Sequence, residues 1–168
     1  MKKLKPFDYS LYCIIIALGI AFDQITKLLS VKYLTKIETK PLINGVLHFT
    51  YVENDGAAFG MLDNARWIFL SVSTVTIIVM AVILFSGRLQ KNKLYTVSLS
   101  MLISGGIGNM IDRFAYGYVV DFIDFRLINF AVFNIADSIV CVGAGLLVLA
   151  LLLDVIKESK NNKREEKK

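Results

Sequence analysis

The chain has 168 residues, 55% of them hydrophobic and only 20% charged, with a mean hydropathy of +0.59. That is too apolar for a soluble domain of ordinary composition, so the solvent of this chain is lipid. Its net charge of +5 forms no basic groove with interleaved aromatics, which excludes nucleic acid as a partner, and it follows instead from membrane orientation.

The first apolar run lies over about residues 9–30. Lys2, Lys3 and Lys5 precede it, as in a cleavable signal peptide, yet no small-residue cleavage pattern follows and the run continues through Asp23-Gln24-Ile25-Thr26-Lys27. An uncleaved first helix is expected. Asp23 and Lys27 stand four apart with the acid nearer the amino end, so they share a helix face and can pair. A purely structural ion pair and a role at a site weigh evenly here.

About thirty residues separate this run from the next, long for a passive connection. Val46-Leu47-His48-Phe49-Thr50-Tyr51-Val52 is rich in β-branched and aromatic residues and ends at the turn-like Asn54-Asp55-Gly56, which predicts a small sheet on the outer leaflet. In Ala57-Ala58-Phe59-Gly60 the small residues let a backbone pass close to something else. Trp67, beside Arg66, sits where an interfacial aromatic anchor belongs.

The second span, about 66–86, is uncharged from Trp67 to Phe85; the third covers about 94–112 and the fourth about 132–154. The amino end, the Arg88–Lys93 loop and the tail beyond Leu153 hold 12 of the 19 basic residues but 5 of the 14 acidic ones, which places both termini in the cytoplasm and agrees with an even number of spans. Residues 157–168 read as a solvated cytoplasmic tail that touches anionic lipid. The outer connection from Arg113 to Asn129 is short and apolar and is expected to lie along the interface. With no internal repeat, residues 1–168 form one membrane domain. The fold class is membrane all-α: four transmembrane helices with a small β-rich extracytoplasmic element between helices 1 and 2.

Cys13 and Cys141 lack the spacing of a metal or redox motif and are expected to be buried small side chains. With His48 the sole histidine and no His-Glu-x-x-His, a zinc protease is excluded, and neither metal nor cofactor is expected.

Polar residues inside spans are costly and mark a functional interior. Asn109, Asp112 and Arg113 share a face of the third span with Gly105, where glycines at this density mean close helix approach. On the fourth, Asn134, Asp137, Ser138, Cys141 and Gly145 form one stripe expected to face the bundle. Asp137 needs a partner, and Asp112, Asp121 and Asp124 are candidates. Two close carboxylates share one proton, leaving a base and an acid that can activate water and protonate a peptide carbonyl. The residues alone do not choose among the three. A small ion- or proton-coupled transporter using the same carboxylates is the rival from another class, but the acids gather at one side and no titratable path crosses the membrane. A Ser138/Lys27 protease requires a contact that nothing in the sequence supplies.

Five segments together resemble the lipoprotein signal peptidases (signal peptidase II): Asp23–Lys27, Val52–Gly60, Gly105–Arg113, Val119–Ile123 and Phe133–Ser138, in the family's order along nearly the whole chain. The resemblance implies an aspartic endopeptidase with Asp121 and Asp137 as the catalytic pair, acting on lipid-modified prolipoproteins before a diacylglyceryl cysteine. It further implies that Asn54, Gly56, Asn109, Arg113 and Asn134 hold substrate or position the pair, and that Asp23 and Lys27 support the site. A bacterial cytoplasmic membrane, a site near the outer leaflet and a monomer are expected. The chain departs from many relatives where Ala131-Val132 stand before Phe133 without a proline.

Overall fold

A computed structural model of the chain describes residues 6–56, 66–87, 89 and 92–165. The expected close passage at 57–60 and the amino-terminal lysines lie outside the described residues. Among the described residues four helices are long and apolar enough to cross a membrane: α1 (Pro6–Leu34), α2 (Arg66–Phe85), α3 (Lys93–Ala115) and α4 (Ile135–Glu165). Strands β1 (Thr39–Ile43), β2 (Leu47–Asn54) and β3 (Val119–Asp124) form one antiparallel sheet in the order β1-β2-β3.

The bundle is organised around α3, which packs against α1, α2 and α4. Its polarity explains this: lipid solvates apolar faces well, so the helix richest in Ser, Thr, Asn and Asp is the one driven inside. Buried Thr96, Ser98 and Ser100 donate to carbonyls of their own helix, so α3 carries its polar groups inward already satisfied. Glycines set the distances. A Cβ at Gly105 would stand 2.5 Å from the Ala136 carbonyl oxygen, and one at Gly108 would stand 2.6 Å from Asp23 Oδ2, so only glycine lets α1 and α4 approach α3 this closely.

Three expectations are corrected. The Arg113–Asn129 connection is not without regular structure: it contains β3 and a short 3-10 turn (Arg126–Ile128), because the Val119–Asp124 run pairs with β2 as readily as any strand. The sheet is therefore assembled from both the α1–α2 and the α3–α4 connections, with Gly117 at φ +94 turning the chain from α3 into β3. Cys13 and Cys141 are exposed, an inexpensive position for a weakly polar thiol when the exterior is lipid. The α4 stripe does not face the bundle along its length either: Ala136, Gly143 and Ala150 are the buried positions, whereas Cys141 and Gly145 are exposed. A stripe of small and polar residues does not by itself choose the inward face when lipid accepts either. Helix α4 also continues past Leu153 to Glu165, its last turns exposed.

The other side of β3 is tied to the segment leading into α4. Phe122 and Ile123 N–H groups donate to the Phe133 carbonyl at 3.0 and 2.8 Å, and Phe133 N–H returns a bond to Ile123 at 3.1 Å. Two residues later α4 begins, so the strand carrying Asp121 and the helix carrying Asp137 are joined by backbone bonds.

Candidate active site

Asn134, just before α4, is its cap rather than a member of its stripe. The Asn134 side-chain oxygen accepts from Asp137 N–H at 2.9 Å, and Asp137 Oδ2 accepts from Asn134 N–H at 3.1 Å. This reciprocal arrangement is a capping box, and it fixes the Asp137 carboxylate at the third helical position. Because the Asn134 oxygen is occupied, its amide nitrogen must face the other way, where it donates to Asp121 Oδ1 at 2.6 Å and Asn109 Oδ1 at 3.0 Å. One buried amide thus holds both aspartates in a common frame. Asn109 completes it by donating to Asp137 Oδ1 at 2.7 Å.

Asp121 is positioned from the other side by Asn54, whose amide nitrogen donates to Oδ2 at 2.8 Å while its oxygen accepts from Gly56 N–H. A bulge in β2 makes this possible. The register runs Phe49 opposite Ile123 and then Val52 opposite Asp121, so β2 spends one extra residue. Without it Tyr51 and Glu53 would stand opposite Asp121 and Val119, bringing a third carboxylate to the pair; with it Val52 and Asn54 do so.

Behind the aspartates lies a buried charge cluster. Lys27 Nζ is 2.9 Å from Asp23 Oδ2, from Asp112 Oδ2 and from Asn109 Oδ1. Each contact leads to the pair: Asp23 Oδ1 accepts from Ala136 N–H in the first turn of α4, Asp112 Oδ2 accepts from Val120 N–H next to Asp121, and Asn109 bonds Asp137. Gln24, which carried no weight in the sequence, bonds Asp112 Oδ1, Asp23 Oδ2 and the Gly108 carbonyl. Its signal was available: it lies between Asp23 and Lys27 on a helix where polar residues are costly.

The remaining candidates sort themselves. Asp112 is held by Lys27 and Gln24, and Asp124 is bonded by Thr50 at 2.6 Å and by Arg126 at 2.8 Å on the far part of the sheet. Burial pushes Asp124 up, but these two bonds and the Arg126 charge outweigh it and hold the carboxyl below its ordinary value. Asp121 behaves oppositely. Burial, then the Asp137 charge, raise it to about 7 against the amide donors Asn54 and Asn134 and the more distant Lys27, which favour its charged form. A carboxyl poised near neutrality is able to gain or lose a proton during a reaction.

Asn54, Asn109, Arg113, Asp121 and Asp137 open into a cavity of about 540 Å³ whose other wall is the apolar Phe130–Phe133 segment. Arg113 donates to the Gly56 carbonyl at 3.1 Å and lies 4.8 Å over the Phe69 ring, while its Nε has no partner among the described residues. Ser138 lines the same cavity, but its hydroxyl donates to the Asn134 carbonyl, and Lys27 is engaged by Asp23, Asp112 and Asn109.

Residues 15–153 match the family described as signal peptidase (SPase) II. A lipoprotein signal peptidase of Caldanaerobacter subterraneus subsp. tengcongensis is 48% identical over 135 residues, 80% of this chain and 90% of that protein. One from Brevibacillus brevis is 44% identical over 144 residues, 85% and 95%. A bacterial membrane enzyme solved by the in meso method at 2.3 Å superposes with a TM-score of 0.78 and 33% identity, covering 87% of this chain and 90% of that one.

Proposed function

The chain belongs to the signal peptidase II family, and from that premise we propose that it removes signal peptides from prolipoproteins by aspartic catalysis, cutting before a diacylglyceryl-modified cysteine. The observation that carries the reading is the frame of Asn134 and Asn109, which joins Asp121 and Asp137 at the wall of one cavity. In this reading Asp121, raised to about 7 by burial and the Asp137 charge, is the proton donor and Asp137 is the base. Asp137 takes a proton from water as the oxygen attacks the scissile carbonyl carbon, and Asp121 gives its proton to the carbonyl oxygen. When the C–N bond breaks, the proton on Asp137 passes to the leaving nitrogen and a hydroxyl proton returns to Asp121. The guanidinium of Arg113, which lines the cavity, and the amides of Asn54 and Asn109 are suited to hold an extended substrate backbone, and the Gly56 carbonyl fixes Arg113 for that task.

The cavity's apolar wall suits a signal peptide arriving sideways from the bilayer. The distribution of basic residues supports a site at the outer leaflet of a bacterial cytoplasmic membrane, with both ends of the chain in the cytoplasm. Residues 1–168 act as one domain and as a monomer. The transporter reading has less support, because Asp23 and Asp112 are engaged in one cluster with Lys27. Cleavage of a diacylglyceryl-modified prolipoprotein by the purified protein, mapped by mass spectrometry, tests the substrate assignment. Cutting immediately before the lipidated cysteine, with the unmodified precursor left intact, is expected; equal cutting of both refutes the lipid requirement.

A further inference from the structure

Helix α2 stays away from the aspartates and reaches the site through one side chain. Its carboxyl-terminal end packs on α1, with Phe85 stacked on Tyr9 at 6.0 Å and Leu84 in a core cluster with Tyr12. Towards its other end it follows α3: Ile77 faces Gly106, Thr74 donates to Met110 Sδ at 3.4 Å, and the Phe69 ring lies against Arg113, whose guanidinium carbon stands 4.8 Å from the ring centre, over its face. A phenylalanine gains little by leaving lipid for protein, since hydrocarbon solvates it equally well. The contact serves the cation, which is drawn to the negative face of the ring.

Among the described residues the ion pairs are Lys27 with Asp23 and Asp112, and Arg126 with Asp124; Arg113 is in none of them. Yet it lines the same cavity as Asp121 and Asp137, and the charges of Asp137, Asp121 and Asp112 all act on it, Asp137 most strongly. Opposite charges attract strongly in an apolar cavity, and a guanidinium pairs readily with a carboxylate through two parallel N–H bonds. An arginine free to turn would therefore close onto the aspartates. Two contacts oppose this: the Gly56 carbonyl, which accepts from one terminal nitrogen at 3.1 Å, and the Phe69 ring. The N–H groups of a guanidinium lie in its plane, so a ring over its face fixes the group and consumes no donor.

We propose that Phe69 is a positioning residue: its ring, together with the Gly56 carbonyl, holds the Arg113 guanidinium in the cavity wall and off the two aspartates. This deepens the proposed function and rests on it. An arginine closed onto Asp121 would keep that carboxyl ionised, removing the proton it is proposed to donate, and would withdraw the guanidinium from substrate. The other charges near the site cannot take over this role. Asp23 and Lys27 of α1 are engaged with each other and Lys27 with Asp112, Glu53 of β2 is exposed and bonded by Tyr51, and Arg66, the one charge of α2, donates to the Phe114 carbonyl at 2.7 Å.

The test compares pH–rate profiles of the full-length protein carrying Phe69→Leu, which keeps an apolar side chain without a ring, and Phe69→Tyr, which keeps the ring. In Phe69→Leu the limb near pH 7 is expected to move to lower pH by about 1–3, the change an arginine beside a carboxyl imposes. Phe69→Tyr is expected to stay with the parent. The shift is expected to vanish when Phe69→Leu is made in an Arg113→Gln background, which has no guanidinium to release. A limb that stays in place in Phe69→Leu while only the melting temperature falls overturns the proposal, because Phe69 then acts by packing alone. So does an equal shift in both variants, or a shift that persists in Arg113→Gln. Where a variant cleaves too slowly to assay, the same comparison is read without substrate from the infrared carboxyl band that Asp121→Asn removes. A parent that does not cleave the lipidated prolipoprotein refutes the proposed function, and the infrared band still decides whether Phe69 keeps Arg113 from Asp121.

Discussion

Helices α2 and α3 cross the same bilayer and divide its demands between them. Helix α2 carries no charge from Trp67 to Phe85 and is scarcely buried by protein, whereas α3 is interrupted by Ser, Gly, Asn and Asp and is buried over nearly half its length. In water the apolar element goes inside, but in lipid the order reverses, because hydrocarbon solvates Ile and Val as well as any core does. What is hidden is what lipid cannot satisfy: Asp112 is 1% and Ser100 0% exposed, whereas Val75 and Ile78 are 62% and 57% exposed. The plainest hydrophobic signal in the sequence thus marks the helix farthest from chemistry, and the interrupted one marks the helix that builds the site.

Substitutions sharpen that contrast, beginning with the largest effect. Lys27→Met leaves Asp23 and Asp112 facing each other without their cation and is expected to cost about 3–5 kcal/mol, visible as a large drop in melting temperature in detergent. Restoring charge balance with Lys27→Met/Asp112→Asn is expected to recover part of it; no recovery means the cluster is not held by charge. Next, Gly105→Ala drives a Cβ into the backbone oxygen of Ala136 and is expected to cost about 1–3 kcal/mol by pushing α4 from α3. Gly106→Ala meets only the flexible end of Ile77 at 3.2 Å and is expected to be milder. Equal melting shifts at the two positions would break the claim that α3 packs tightly on its α4 side and loosely on its α2 side. Smallest is Ile78→Ala on the lipid face of α2, expected within about 0.5 kcal/mol of the parent.

The pair's titration sharpens the contrast further, since Asp121 sits on the sheet rather than in a span. With its carboxyl raised to about 7, the pH–rate profile of the proposed mechanism is expected to fall as pH rises through that value and Asp121, its proposed proton donor, ionises. Asn54→Ala removes a hydrogen bond that favours the charged form, so this limb is expected to move to higher pH. Stability follows the same sign: a raised folded-state value means a contribution present below about pH 4 and lost as pH rises towards 7. A limb that moves to lower pH in Asn54→Ala contradicts the assignment of the limb to Asp121.

The spans, the β character of Val46–Val52 and the paired positions of Asp23 and Lys27 were legible in the sequence, since each rests on local periodicity or on the cost of a charge in lipid. Strand β3 was not, because six residues in an apolar connection look the same lying along an interface or paired in a sheet. Only β2, seventy residues away in sequence, decides. The inward face of α4 was hidden for a related reason: small residues mark close approach, and Gly143 and Gly145 offer it equally, but Gly143 meets α3 and Gly145 meets nothing within 4 Å. The choice of Asp121 over Asp112 and Asp124 came from family resemblance. Its physical counterpart, Lys27 and Gln24 occupying Asp112 while Arg126 and Thr50 occupy Asp124, needed three dimensions.

The most direct measurement is cleavage of a lipidated prolipoprotein by four folded, membrane-inserted variants: Asp121→Asn, Asp137→Asn, Asp112→Asn and Asp124→Asn. The first two are expected to lose activity by about a thousandfold or more, as when a general acid or base is removed, and Asp124→Asn is expected to stay near the parent. Asp112→Asn is expected to lose stability and rate together, and to regain rate where its melting temperature is restored by lipid. Near-parent activity in either Asp121→Asn or Asp137→Asn would rule out these two aspartates as the catalytic pair.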